Sequence, residues 1–378
     1  MHLLSTFGRR LVAGVAVSAS LALTLTACAG GSTPSTAGGD KAATATSLSD
    51  FGTMADLEAA AKAEGTLNVI ALPRDWANYG EILDAFAAAY PEITINEQSP
   101  DVSSAEEIQA AKTNAGLDTA PDVFDLGLTV TLQNTDQFAP YKVATWEDIP
   151  ANLKDANGAY TGDYGGYMSI GYDSAKYPEP TSLKDLLGVK YKGAVALNGD
   201  PTQAGAAFGA VGLATVQNGG TLDDYTPGID FFSQMKKAGN LLKVDVTTAT
   251  VTSGETPVVF DWDYLNAAHT ADKASWKVTI LPGTGYAAYY NQAINKEAPH
   301  PAAARLWEEF LYSDAAQNMW LKGGARPVRM DAMTSAGTID AALAAKLPAA
   351  PADSVVPTAA QSDAAGTLLG EKWAAAVQ

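Results

Sequence analysis

Four short clusters in this sequence combine aromatic rings with acids or hydroxyls. The apolar run Thr66 to Leu72 leads into Pro73-Arg74-Asp75-Trp76-Ala77-Asn78-Tyr79. The run that starts at Pro121 leads to Thr129 and Thr131. The stretch Lys192 to Leu197 leads into Asn198-Gly199-Asp200-Pro201, and Val258 to Phe260 leads into Asp261-Trp262-Asp263-Tyr264. Tyr290 lies in a later apolar run. Trp76, Tyr79, Trp262, Tyr264 and Tyr290 offer ring faces, and Asp200, Asp261 and Asp263 offer charge. A desolvated cation over a ring gains roughly 2 kcal/mol, and a carboxylate adds a charge-assisted hydrogen bond. The pattern suits an organic amine. Core packing would explain any one of these rings equally well. Asp200 would also cap a helix opening at Pro201. Arg74 points the other way, towards a carboxylate or phosphonate held bidentately, unless it pairs with Asp75.

Other chemistries find little support. The three histidines, His2, His269 and His300, show no metal-ligand spacing. There is no G-x-S-x-G elbow, no Walker loop and no dinucleotide fingerprint, so neither metal nor cofactor is expected. A hydrolase built on a carboxylate pair needs no local motif and stays open as an alternative.

The elements that must hold these clusters alternate between strand and helix. Helices are expected over 54–64, with Gly65 as the stop, and over 79–90, 201–217, 231–238 and 302–312. Ser103 with Glu106 forms a capping box, and Ser313 opens another helix. Strands are expected over 66–72, 93–95, 121–128, 167–172, 192–197, 258–260, 278–281 and 287–294. This order implies α/β layers, a parallel-type sheet with helices on both faces. In such sheets ligands sit beyond the carboxyl ends of strands, which is where the clusters fall. A body from about Asp50 to Gln378 exceeds the size of one core, so two lobes are expected.

The start of the chain reads as an export signal. Arg9 and Arg10 precede an apolar run of about 15 residues, Leu11 to Leu25, too short to span a bilayer comfortably. It ends in Leu25-Thr26-Ala27-Cys28, and Cys28 is the chain's single cysteine. Residues 1–27 therefore read as a lipoprotein signal peptide, with Cys28 as the lipidated residue. Residues 28–50, rich in small polar residues, read as a flexible tether. The whole chain carries −18; losing Arg9 and Arg10 with the signal leaves −20. That balance excludes nucleic acid as a partner.

The stretches "EGTLNVIALPRDWANYGEILDAFAAAYPEI", "PTSLKDLLGVKYKGAVALNGDP", "SGETPVVFDWDYLNAA" and "AINKEAPHPAAARLWEEFLYSDAAQNMW" follow one another in a familiar order. In this the chain resembles the bacterial extracellular solute-binding proteins of ABC transporters, of the spermidine/putrescine and ferric-iron type. The resemblance implies a two-lobed type II periplasmic-binding-protein fold with a hinged cleft. Lobe 1 would hold 51–165 and 290–312, and lobe 2 would hold 166–289 and 313–378. Such a protein is no enzyme. It would be a monomer outside the cytoplasm, anchored by lipid at Cys28, that captures a small solute and hands it to membrane permease subunits. Trp76 and Tyr79 match the W-x-x-Y of polyamine binders, and Trp262 matches a cleft tryptophan. A polyamine-like amine is then the first expectation. Phosphonate, thiamine-like and ferric ligands are the alternatives. One departure is that an acid of the polyamine binders is replaced here by Tyr290. Tyr289-Tyr290 resembles the tyrosine pair of iron binders but falls late in the chain, and neighbours on a strand face opposite ways.

Overall fold

The computed structural model describes residues 37–377. Cys28, the signal peptide and the first part of the tether lie outside the described residues. The strands in chain order are β1 (Thr66–Ile70), β2 (Thr94–Gln98), β3 (Val123–Gly127), β4 (Phe138–Ala139), β5 (Thr161–Asp173) and β6 (Val195–Leu197). They continue with β7 (Val258–Trp262), β8 (Trp276–Thr279), β9 (Thr284–Asn295), β10 (Arg326–Pro327) and β11 (Asp353–Val355). Pairing is parallel between β1 and β2 and between β6 and β7. This matches the alternating strand–helix order of the sequence.

The remaining pairing is antiparallel along two long strands, apart from the parallel pair β9–β11. The first part of β5 pairs with β9 and β10, and its second part with β7 and β8. The other shared strand, β9, takes β11 at its start and β3 and β4 at its end. Both strands thus run through both halves of the body. They cross where Gly165 faces Tyr289 and Gly166 faces Ala288. Their lengths, 13 and 12 residues, exceed what the sequence pattern marked at 167–172 and 287–294. Both are buried almost throughout, so neither shows the alternation that betrays a strand end.

Helices follow the expected stops and caps. Helix Met54–Glu64 ends on Gly65 in the left-handed region, at φ 71°. The Ser103 capping box forms, and Ser313 accepts a hydrogen bond from the Ala316 amide. One segment differs from expectation. The tether does not run free to residue 50: helices Ala37–Thr44 and Leu48–Phe51 are formed. Buried Arg305 holds this segment by donating to the carbonyls of Ala45 at 2.8 Å and Ala43 at 3.1 Å. The Ala-rich tail is likewise ordered and ends in helix Ala359–Val377. Helix Asp314–Lys322 packs on helix Tyr79–Ala89, where Met319 O accepts from Asn78 at 3.0 Å and Trp320 meets Tyr79 edge-on at 4.6 Å.

The crossing leaves no room for side chains. A Cβ on Gly165 would collide with the Ala288 carbonyl oxygen and stand 2.8 Å from the Tyr289 ring. Gly165→Ala is therefore expected to cost about 1–3 kcal/mol, the usual range for overpacking. A urea titration of the variant against the parent checks this; an unchanged midpoint would show that the crossing yields freely.

Candidate functional site

A small pocket, with about 30 Å³ of free space, lies between the end of β3 and the start of helix Gly205–Gln217. One wall is the end of β3 with Gly127 to Val130. The opposite wall is the turn Pro201 to Ala204 with the start of helix Gly205–Gln217. Trp262 and Tyr290 close the inner side, and Pro357 and Ser362 stand at the remaining edge. The walls approach closely, since a Cβ on Gly127 would lie 3.0 Å from the Gly205 Cα. Glycine at both positions is what permits that approach.

Among the eleven residues singled out by sequence, Thr129, Trp262 and Tyr290 line this pocket. Trp262 is the last residue of β7, buried, and its ring stacks on Tyr286 at 6.3 Å. Its Nε1–H is directed at the Tyr290 hydroxyl, an acceptor it meets outside good hydrogen-bond geometry, and the Thr129 hydroxyl has no partner. Trp76 is half-buried, edge-on to Tyr290 at 5.7 Å, and donates from Nε1 to the Tyr164 hydroxyl at 2.7 Å. Tyr164 in turn donates to Asp125 at 2.8 Å. Tyr264 lies behind, 5.8 Å from Tyr164, with a buried hydroxyl that meets no partner.

The other residues stand elsewhere or are already engaged. Arg74 is on the surface, bidentate to Glu97 at 2.8 and 3.0 Å and paired with Asp84 at 3.0 Å. It is half-exposed and spent on two carboxylates, so it reads no anion in the pocket. Asp75 is exposed at the rim, where the Thr248 hydroxyl donates to it at 3.0 Å. Tyr79 is wholly buried between Trp320 and Tyr164, and its hydroxyl accepts from Gln292 at 3.0 Å. Asp263 is held by Arg326 at 2.9 Å and by the Tyr167 amide at 3.0 Å. Asp200 does not cap the helix, which starts at Gly205. Its carboxylate accepts from the Thr202 amide at 2.8 Å and hydroxyl at 2.6 Å and so shapes the turn.

Two buried acids flank the aromatic group. Asp261 accepts from the Trp262 amide at 2.8 Å and from Asn198 at 2.9 Å. Burial raises its pKa to about 7. Asp125, which the sequence reading passed over, has its carboxyl raised by burial in the same way, and one of its oxygens has no partner. Tyr290 and Tyr264 both feel the charge of Asp125 and of Asp261, so the two acids bracket them. Asp125 carried a signal: an acid inside the otherwise apolar run Val123 to Leu126. Ser362, in the Ala-rich tail, carried none.

The family comparison decides the class. The signature of a bacterial extracellular solute-binding protein matches residues 119–348. The chain belongs to that family. No curated protein sequence matches it. Solved structures share its fold across four-fifths of the chain. A periplasmic binding protein from Agrobacterium tumefaciens in complex with agropinic acid has a TM-score of 0.65 at 15% identity, covering 83% of this chain and 98% of that one. A putative spermidine/putrescine ABC transporter protein from Listeria monocytogenes has a TM-score of 0.61 at 12% identity, covering 81% and 99%. Iron-bound HitA from Pseudomonas aeruginosa has a TM-score of 0.59 at 19% identity, covering 81% and 97%. The solute-binding protein therefore has the two-lobed fold of periplasmic binding proteins, and β5 and β9 are strands shared by its halves. Its family binds solutes outside the cytoplasm and is not one of enzymes, which sets aside the carboxylate-pair hydrolase. None of the described helices is long and apolar enough to cross a membrane.

The raised acid gives a signed pH dependence. Asp261 has a folded pKa of about 7 against an ordinary 3.8. Its contribution to stability is complete below the ordinary value and is lost as pH rises through 7. The urea midpoint of the solute-binding protein is expected to fall between about pH 4 and about pH 7, and to fall less in Asp261→Asn. Equal slopes in parent and variant would show that Asp261 is ionised throughout.

Proposed function

We propose that the protein captures a small organic solute through an acceptor-rich head group, such as a phosphonate or carboxylate, seated between Thr129, Trp262 and helix Gly205–Gln217. The observation that supports this is the pocket's supply of unused donors. The Thr129 hydroxyl is buried without a partner, and Trp262 Nε1 meets only the Tyr290 hydroxyl, outside good hydrogen-bond geometry. No side chain caps helix Gly205–Gln217, so the amides of its first turn point out of its end. Helix ends of this kind favour negative groups through both hydrogen bonds and the helix dipole. Among the described residues, none of the side chains lining the pocket is charged, so a carboxylate does not compete there.

The polyamine-like amine is a second reading, supported by a different observation. Asp125 has a free buried oxygen, and the Tyr264 hydroxyl is also unpartnered. With Trp76 and Tyr290 these would hold an ammonium group. A solute carrying both groups would use both ends of the site. Capture ends in delivery to permease subunits, with the protein working as a monomer held at the membrane by lipid on Cys28. Lobe 1 is assigned to 51–165 and 290–312, and lobe 2 to 166–289 and 313–378. The crossing of β5 and β9 at Gly165–Tyr289 supports the boundaries at 165 and 290.

Calorimetric titration with 2-aminoethylphosphonate, putrescine, thiamine and ferric citrate tests the reading. The phosphonate is expected to bind, and Trp262→Phe to weaken it by about 3- to 10-fold, the cost of one hydrogen bond. Putrescine binding that strengthens as pH rises through 7 and is lost in Asp125→Asn would replace the first reading with the second. Binding of thiamine or ferric citrate alone would overturn both.

A further inference from the structure

The C-terminal helix Ala359–Val377 touches both halves of the body along one buried stripe. Ser362, Gly366, Leu369, Trp373 and Val377 follow one another at helical spacing, and all are buried. The second half of the stripe packs on helix Thr226–Ala238, with Trp373 5.8 Å from the Phe232 ring. Gln361 adds a hydrogen bond to Asp223 at 2.9 Å, and β11, just before the helix, pairs with the start of β9. The first half faces helix Leu128–Gln133, which leads off the end of β3 on the other side of the pocket. There Gly366 abuts the Thr129 methyl so closely that a Cβ would collide with it, and that Cβ would lie 3.0 Å from Gln133 Nε2.

Ser362 stands one turn before Gly366, at the pocket. Its side chain is 0% exposed, yet its hydroxyl has no hydrogen-bond partner. In a helix such a hydroxyl ordinarily turns back to the carbonyl four residues earlier. Thr367 in the same helix does so, donating to the Asp363 carbonyl at 3.1 Å. Ser362 does not, and the Thr129 hydroxyl is unpartnered as well. Two buried hydroxyls, one after β3 and one in the C-terminal helix, thus line the same pocket, neither with a partner.

We infer that Ser362 is a solute-contacting residue, and that the C-terminal helix rides on lobe 2 and completes the pocket when lobe 1 swings onto it. This rests on the solute-binding reading and adds a wall to it from a part of the chain that carries no motif. In the closed protein the solute bridges Ser362 and Thr129. In the open protein the seam between the C-terminal helix and helix Leu128–Gln133 parts and exposes Ser362.

Two variants test the inference in the full chain. Ser362→Ala is expected to weaken 2-aminoethylphosphonate binding about 3- to 10-fold, while the unliganded protein melts at an unchanged temperature. An unchanged affinity with a lowered melting temperature would overturn it. Ser362→Cys in a Cys28→Ser background carries a single thiol. That thiol is expected to react with N-ethylmaleimide in the ligand-free folded protein and to be shielded by saturating phosphonate. Resistance to the reagent in the ligand-free protein would mean the helix is fixed core and would overturn the inference. If neither phosphonate nor putrescine binds, the ligand reading falls alone; the thiol's reaction still supports the moving seam and its resistance still defeats it.

Discussion

Two strands belong to both halves of this molecule, and the rest of the structure hangs on their crossing. Where β5 meets β9, Gly165 and Gly166 face Tyr289 and Ala288, and the backbones have no space for another side chain. The residues beside the crossing are therefore fixed in place. Tyr164 precedes it and reaches Asp125 and Trp76; Tyr290 follows it and reaches Trp76 and the pocket. Strands shared by two lobes are where such a fold bends. The same strands carry Tyr164 and Tyr290, two rings of the proposed site.

The proposed site holds polar groups that are costly to leave unpaired. A buried polar group with no partner costs about 1–3 kcal/mol. The Thr129 hydroxyl, the Tyr264 hydroxyl and one Asp125 oxygen are all in that position around one site, and Trp262 Nε1 is nearly so. Buried polar atoms elsewhere are mostly satisfied, as Asp263 is by Arg326 and as Asp122 is by Asn68 and His300. Under the proposed reading, a solute that pairs with these groups favours a closed state over an open one, and that differential affinity is what lets binding drive closure.

Much of the fold was legible because it rests on local rules. Gly65 stopped its helix, Ser103 and Ser313 opened theirs, and the apolar runs became strands. The site was legible in part. Trp262 and Thr129 line the pocket because they stand at or just after strand ends, whereas Tyr290 reaches it from the middle of β9. Arg74 does not reach it, because two nearby acids, Asp84 10 residues on and Glu97 23 residues on, captured it. Asp263 and Tyr79 were likewise taken by long-range partners, Arg326 and Gln292. Sequence spacing says nothing of such partners. The docked segment before residue 50 was missed for a related reason. Its order comes from Arg305, some 260 residues away, and not from its own composition.

The central claim is that the unpartnered donors around the pocket hold an acceptor group of the solute. A crystal structure of the protein grown with 2-aminoethylphosphonate tests it most directly. The account predicts phosphonate oxygens within hydrogen-bonding distance of Trp262 Nε1, the Thr129 hydroxyl and the Gly205 amide. A phosphonate bound at Arg74 on the surface, or an empty pocket in the closed protein at saturating phosphonate, would contradict it.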